Sequence, residues 1–279
     1  MRRRLLLRAV AALAAITLLS GCTGGIADAD LKPKVAPPLI ARKGVLRAAI
    51  DLSYPPFGGT DKGVKAGLDV DVAAAIAAGL GLKLEMVDAR PDAAAELVKS
   101  RKADIALGAL QVEQAVASDL AFAGTYVSDA PALFSTATAT VTIGELGGKR
   151  VAAQKDSYAY WMLVDEYGEE AVVVMPTLRD AMTAVASGQA DFAAGDAIVG
   201  SYLLRDLPNL KYNGQLVPAY PLGVAVSKEN PQLEAQVRKI LDNLAASGVL
   251  GTLRRKWAGD LPRLASPQAQ GADEASPTP

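Results

Sequence analysis

Chemistry in this chain falls to carboxylates, amides, hydroxyls and tyrosines, because the commonest reactive side chains are missing. Its 279 residues contain no histidine and a single cysteine, Cys22. Without histidine there is no Ser-His-Asp triad and no His-ligated metal. A lone thiol closes no internal disulfide, so the folded part must be held by its core. No Gly-rich phosphate loop ending in Gly-Lys-Ser/Thr occurs, so nucleotide hydrolysis is not expected of this chain. We therefore expect no catalytic residue, no cofactor and no metal. Acidic neighbours such as Asp69/Asp71 and Glu169-Glu170 read as helix caps or solvated faces. Four short segments remain in which polar and aromatic side chains border apolar, strand-like runs: Asp51 to Phe57, Gly108 to Gln111, Asp156 to Tyr158, and Gly195-Asp196.

Those segments sit at matching places in a duplicated pattern. Ser100-Arg101-Lys102-Ala103-Asp104-Ile105-Ala106-Leu107-Gly108 returns as Ser187-Gly188-Gln189-Ala190-Asp191-Phe192-Ala193-Ala194-Gly195. Upstream, Ala48-Ala49 followed by Ser53-Tyr54 is echoed by Ala152-Ala153 followed by Ser157-Tyr158. Two copies argue against a solenoid and for two lobes, the alternative being chance matches in an Ala-rich chain. The elements repeat as well. Val45 to Ile50 is apolar and β-branched, a buried strand. Asp69 or Asp71 can cap a helix carrying Val72, Ile76 and Leu80 on one face and stopped by Gly81. Leu82, Leu84 and Met86 alternate with charges as a strand; Ala93 to Lys99 reads as helix and Asp104 to Leu107 as strand. The second half predicts strands at Arg150–Ala153, Ala171–Met175 and Asp191–Ala194, and helices at Ser157–Tyr167 and Leu178–Ser187. A strand at Leu222–Val226 and helices at Pro231–Ala246 and Leu250–Trp257 close the chain. Alternating strands and helices imply an α/β fold with parallel sheets. In such sheets ligands lie beyond the carboxyl ends of the strands, which is where the four segments fall.

The ends differ in kind. Arg2, Arg3, Arg4 and Arg8 precede an apolar run ending in Leu19-Ser20-Gly21-Cys22. The run has the length of an export signal rather than of a membrane span. Leu-Ser-Gly-Cys resembles a bacterial lipobox, which implies cleavage before Cys22 and acylation of that residue. Residues 1–21 are then a signal peptide, and their loss moves the formal charge from −1 to −5. A mildly acidic body without a basic run makes nucleic acid an unsuitable partner. Thr23-Gly24-Gly25 and Pro33, Pro37 and Pro38 suggest a tether over 22–42. The Pro-, Ser-, Ala- and Gln-rich end, 264–279, has no apolar period and reads as a disordered tail.

Several phrases occur in a specific order: Gly44-Val45-Leu46-Arg47, Tyr54-Pro55-Pro56-Phe57, Gly67 to Val72, the run Asp104 to Tyr126, Pro221 to Val226, and Lys256-Trp257. From about Lys43 to Trp257 the chain thereby resembles the bacterial extracellular solute-binding proteins of the polar-amino-acid type (family 3), receptors of ABC importers. The resemblance implies a periplasmic-binding-protein-like fold, two α/β lobes joined by a two-strand hinge. It divides the chain into lobe I, 43–135 plus 219–263, and lobe II, 136–218, with crossings near Phe134–Thr138 and Gln215–Ala219. It also implies a monomer, anchored outside the cytoplasm through Cys22, that closes on a small polar solute and presents it to an ABC transporter permease.

The resemblance assigns site residues, and some of its motifs are broken here. Asp196 stands where the family keeps an aspartate against the ligand's ammonium, and it is also placed to cap a helix from Ile198. Tyr54 matches a ligand-stacking aromatic, while Phe57 is expected to plug the core. Ser157 and Tyr158 open a helix whose free N–H groups suit an anion or carbonyl oxygen, with Ser157 a simple cap as the alternative. Asp51 either meets ligand or braces the Tyr54 loop. The family's carboxylate-clamping arginine is Val116 here, and no Lys or Arg occurs between Lys102 and Lys149. Its Gly-x-Thr reads Ala109-Leu110-Gln111, and Arg90 is the one candidate for a displaced carboxylate contact. A cationic or amine-bearing solute, or a modified amino acid, is expected above a free α-amino acid. Two alternatives use the same fold: a ligand-free interaction protein, and a small dehydratase working through Asp51 and Asp196.

Overall fold

Apolar β-branched runs and amphipathic segments alternate along the chain, and the computed structural model, which describes residues 31–108, 110–111 and 120–266, folds them into two sheets flanked by helices. The first half supplies β1 (Val45–Ile50), a hairpin of β2 (Gly59–Asp61) and β3 (Val64–Ala66), α1 (Leu68–Leu80), β4 (Lys83–Asp88), α2 (Pro91–Lys99), β5 (Ile105–Ala106) and β6 (Leu120–Asp129). There follow β7 (Pro131–Ser135), β8 (Val151–Gln154), α3 (Tyr158–Tyr167), β9 (Val172–Met175), α4 (Leu178–Ala186), β10 (Phe192–Asp196), α5 (Ala197–Leu203) and β11 (Lys211–Gln215). The chain ends in β12 (Tyr220–Ser227), α6 (Pro231–Ala246) and α7 (Val249–Ala258). Strand order is β4-β1-β5-β12-β6 in one sheet and β11-β7-β10-β8-β9 in the other. The triplets β4-β1-β5 and β9-β8-β10 are parallel, and the strands beyond them antiparallel. These are two α/β lobes, each a sheet covered by helices.

The repeated phrases are the same joint built twice. Ser100 (φ −77°, ψ 4°) and Ser187 (φ −93°, ψ 1°) end α2 and α4 alike. Arg101 (φ 57°) and Gly188 (φ 76°) then turn the chain through left-handed backbone. Asp104 accepts the N–H of Arg47 at the head of β1, and Asp191 accepts the N–H of Arg150 at the head of β8, both at 2.8 Å. Downstream, Ala48-Ala49 pairs with Ile105-Ala106, and Ala152-Ala153 with Ala193-Ala194. Small residues there let the central strands be fully buried.

Helix α1 buries Leu68, Val72, Ile76 and Leu80 on one face, each such side chain stabilising the fold by about 1.5–3 kcal/mol relative to exposure. Gly81 ends it at φ 69°, and a Cβ there would stand 2.1 Å from the Lys32 carbonyl oxygen, so glycine is required. Asp69 and Asp71 do not cap α1; Gly67 occupies the cap position. Asp69 instead accepts the Tyr126 hydroxyl at 2.5 Å, and Asp71 accepts Lys256 Nζ and Trp257 Nε1, each at 2.7 Å. No described helix is long and apolar enough to cross a membrane.

Three boundaries move. The chain first passes between sheets at Ala130, not beyond Phe134, because β7 pairs with β10 and β11. The expected tether is packed over its later part: Val35 and Ile40 are buried, Lys34 N–H donates to the Leu80 carbonyl, and Asn230 Nδ2 donates to the Leu39 carbonyl. Their apolar side chains give that stretch a place on lobe I. At the other end Ala265 is clamped by Gln215, with Nε2 donating to its carbonyl at 2.9 Å and Oε1 accepting its N–H at 2.7 Å. The rest of the expected tail, like the signal peptide and Cys22, lies outside the described residues.

Candidate functional site

The polar segments that end the central strands face one another across a cavity of about 270 Å³. Lobe I brings Tyr54 and Phe57 from the loop after β1, Gln111 and Leu222. Lobe II brings Gln154 from the end of β8, Ser157 and Tyr158 from the start of α3, and Asp196 from the end of β10. Asp129 and Tyr220, beside the two crossings, complete the lining and are register partners in β6 and β12. A recess of about 510 Å³ bounded by Pro55, Arg205 and Trp257 is larger. Position singles out the smaller one, because it lies at the carboxyl ends of both parallel triplets.

Its chemistry is anionic and aromatic. Tyr54 Oη donates to Asp196 Oδ2 at 2.6 Å, joining two residues 142 positions apart. Tyr54 stacks on Phe57 with centroids 5.7 Å apart and planes 9° from parallel. Tyr158 and Tyr220 form a second ring pair at 6.4 Å. Asp129 is 2% exposed, and its Oδ1 accepts the N–H groups of Ala130 at 2.8 Å and Ile198 at 3.1 Å. Burial, reinforced by Asp196, pushes the Asp129 carboxyl up to about 8. Burial also raises Asp196, against the pull of the Tyr54 hydroxyl. The phenols of Tyr54 and Tyr220 are driven well above their ordinary value, first by burial and then by the two aspartates. No lysine or arginine lines the cavity among the described residues. No lysine or arginine occurs at positions 109 or 112–119, which lie outside the described residues. Two carboxylates framed by tyrosine faces and carbonyl-bearing amides suit an organic cation. Among the described residues no three His, Cys, Asp or Glu converge to hold a metal ion.

Of the residues expected from sequence, Tyr54, Gln111, Ser157, Tyr158 and Asp196 meet at this cavity. Asp196 holds the cap position of α5 but makes no side-chain cap bond; Asp129 takes the Ile198 N–H instead, which leaves Asp196 to the cleft. The Ser157 hydroxyl caps α3 by accepting the Tyr160 N–H at 3.1 Å. Asp51 does not line the cavity: its Oδ1 accepts the Ser53 N–H and hydroxyl, at 2.8 and 2.6 Å, and so braces the Tyr54 loop. Arg90 is also elsewhere, its side chain 80% exposed and paired with Asp92, because it opens α2 on the surface. Ala109 and Val116 lie outside the described residues. Phe57 is 1% exposed and belongs to the core while touching the cavity. Sequence reading missed Asp129, Tyr220 and Gln154. Gln154 could have been found as the last residue of a parallel strand. Asp129 and Tyr220 lie on antiparallel strands, where that rule does not apply.

Residues 46–260 match the profile of the bacterial extracellular solute-binding proteins, family 3. A putative ABC transporter arginine-binding protein of Escherichia coli K12 is 23% identical over 218 residues, 76% of this chain and 90% of that protein. The solved structure of an ancestral cationic amino acid solute-binding protein is 25% identical with a TM-score of 0.68, covering 77% of this chain and 95% of that one. The virulence sensor protein BvgS of Bordetella pertussis is 28% identical over 190 residues, which are 65% of this chain and 15% of the sensor.

Proposed function

We propose, starting from the fact that this chain belongs to family 3 of the bacterial extracellular solute-binding proteins, that it captures a small amine- or guanidine-bearing cation. The family is one of binding proteins, not enzymes, and it acts outside the cytoplasm for ABC transporters. The observation that carries the ligand class is the cavity's balance of groups: Asp129, Asp196, Tyr54, Tyr158 and Tyr220, with no basic side chain beside them among the described residues. Relatives named for arginine and for cationic amino acids agree with the positive charge. The absence of a guanidinium clamp among the described residues disfavours a free carboxylate on the ligand, since no side chain lining the cavity offers a bidentate charge-assisted grip.

In this reading the cation is gripped by residues of both lobes, so only the shut form satisfies it, and ligand shifts an open–closed equilibrium toward that form. The shut shape is what an ABC permease receives. Acyl chains on Cys22 would hold a monomeric receptor at the membrane; several chains suffice at about 0.8 kcal/mol per buried methylene.

Calorimetry with agmatine, which is arginine without its carboxylate, and with L-arginine tests the proposal. Agmatine should bind more tightly than arginine, and Asp196→Ala should weaken it at least tenfold, about 1.4 kcal/mol. Tighter binding of arginine or of a neutral amino acid would overturn the carboxylate-free ligand class. Unchanged agmatine affinity in Asp196→Ala would remove Asp196 from the site. A second reading, an interaction or regulatory protein on the same fold, is favoured by the likeness to BvgS. It requires that no small molecule raise the melting temperature, whereas a receptor must gain stability with its ligand.

A further inference from the structure

We infer that Asp129 is a second, proton-carrying carboxylate of the cleft, and that capture of an organic cation expels its proton to solvent. The inference rests on reading the cavity as an organic-cation site. Asp129 is the last residue of β6, opposite Tyr220 of β12. Two residues on, Pro131 of β7 lies opposite Asp196 of β10, so the turn between the sheets brings the two carboxylates to one cavity. Oδ1 of Asp129 receives two backbone N–H groups, and the Ala197 N–H also acts on the carboxyl.

Among the described residues, the titratable groups facing Asp129 come from several strands and none is basic. They are Asp196 of β10, Tyr54 of the loop after β1, Tyr212 of β11 and Tyr220 of β12, with Tyr158 of α3 behind Tyr220. Burial and then Asp129 push Tyr212 up to about 12, and Tyr54 and Tyr220 are higher still. These three phenols stay neutral at physiological pH and cannot supply the proton. Two buried carboxylates without a cation do not both ionise at low cost. Asp196 is the more accessible of the two and takes the Tyr54 hydroxyl, so it is the anion; Asp129, 2% exposed, keeps the proton in spite of its backbone N–H donors. The pair then carries one negative charge. When a monovalent charge centre enters between the carboxylates, Asp129 ionises, its proton leaves to buffer, and the net charge at the site is unchanged. Because the bound form holds fewer protons, affinity rises with pH by up to tenfold per unit below about 8 and levels off above it.

Titration calorimetry of agmatine from pH 5.5 to 9, in two buffers of different protonation enthalpy at each pH, counts the protons. The guanidinium and the lysine-like amine of agmatine both remain charged over this range. The wild-type chain should release close to one proton per agmatine at pH 6.5 and almost none at pH 9. Asp129→Asn can still accept the Ala130 and Ile198 N–H groups. It should release none, show a flat profile, and bind at least tenfold more weakly than wild type at pH 8.5. Agmatine binding without proton release in the wild type overturns the inference while leaving the cation reading intact. Undiminished release in Asp129→Asn also overturns it, by placing the proton on another group. Failure of agmatine to bind at any pH overturns the cation reading and the inference with it.

Discussion

Tyr54 meets the cavity in two ways, through a ring face stacked on Phe57 and through a hydroxyl that donates to Asp196 across the cleft. A cation arriving at Asp196 competes with that hydroxyl but gains from the ring, an attraction worth about 0.5–2 kcal/mol. Tyr54→Phe keeps the ring and removes the competitor, so agmatine should bind at least as tightly as to wild type. Tyr54→Ala should bind several-fold more weakly. A tenfold loss in Tyr54→Phe, read by calorimetry, would instead place the hydroxyl on the ligand. The sequence exposed Tyr54 and Asp196 because each lies at or just after a recurrent phrase at a strand's end and matches a position of the family resemblance. It hid Asp129, whose strand has no repeat partner and whose role depends on a helix nearly 70 residues away. Arg90 shows the converse: its type suited the chemistry, but its place at the head of an exposed helix does not.

At the scale of elements, the duplicated joint explains why the repeat is legible. In each half an aspartate after the helix clamps an N–H near the head of the middle strand of the parallel triplet, which helps to fix its register and thus the position of the loops that follow. The two copies differ in burial. Asp104 is 7% exposed and also accepts the Ala41 N–H at 2.8 Å, whereas the Asp191 side chain is 38% exposed and pairs with Arg150. Asp104→Ala strands two backbone donors and should cost about 2–3 kcal/mol, measured by urea unfolding; Asp191→Ala should cost less than half as much. Equal losses would show that the clamp works independently of burial. Strands β1, β4, β8 and β9 and helices α3, α4, α6 and α7 were read near their observed bounds from apolar period, caps and breakers. The antiparallel strands β6 and β11 were not, because their mixed apolar and polar residues acquire a face only when paired, nor was β7, whose five residues are buried by its partners on both sides.

At the scale of the molecule, two sheets share a cleft while the chain passes between them at Ala130 and again over residues 216–219. The C-terminal segment lies along the second passage through the Ala265–Gln215 bonds. This couples the end of the chain to the place where the lobes would pivot, as hinges confined to a few extended residues allow. The other end carries the proposed anchor. In an exporting bacterial host the wild-type chain should fractionate with membranes and yield an acylated Cys22 by mass spectrometry, whereas Cys22→Ser should be released in soluble form. Soluble wild-type chain without acyl groups would overturn the anchor.

Residue order alone established the α/β class, the two-fold repeat and most of the helices, because these depend on local period, capping and punctuation that any short window contains. It also established, through the family resemblance, that the carboxylate-clamping position holds no arginine, since none exists between Lys102 and Lys149. The partnership of Asp129 with Asp196 had to await the folded chain. Their approach comes from the pairing of β6 with β12 and of β7 with β10, contacts between segments far apart along the backbone. Burial at that meeting point, not residue type, is what gives an ordinary aspartate a proton at neutral pH.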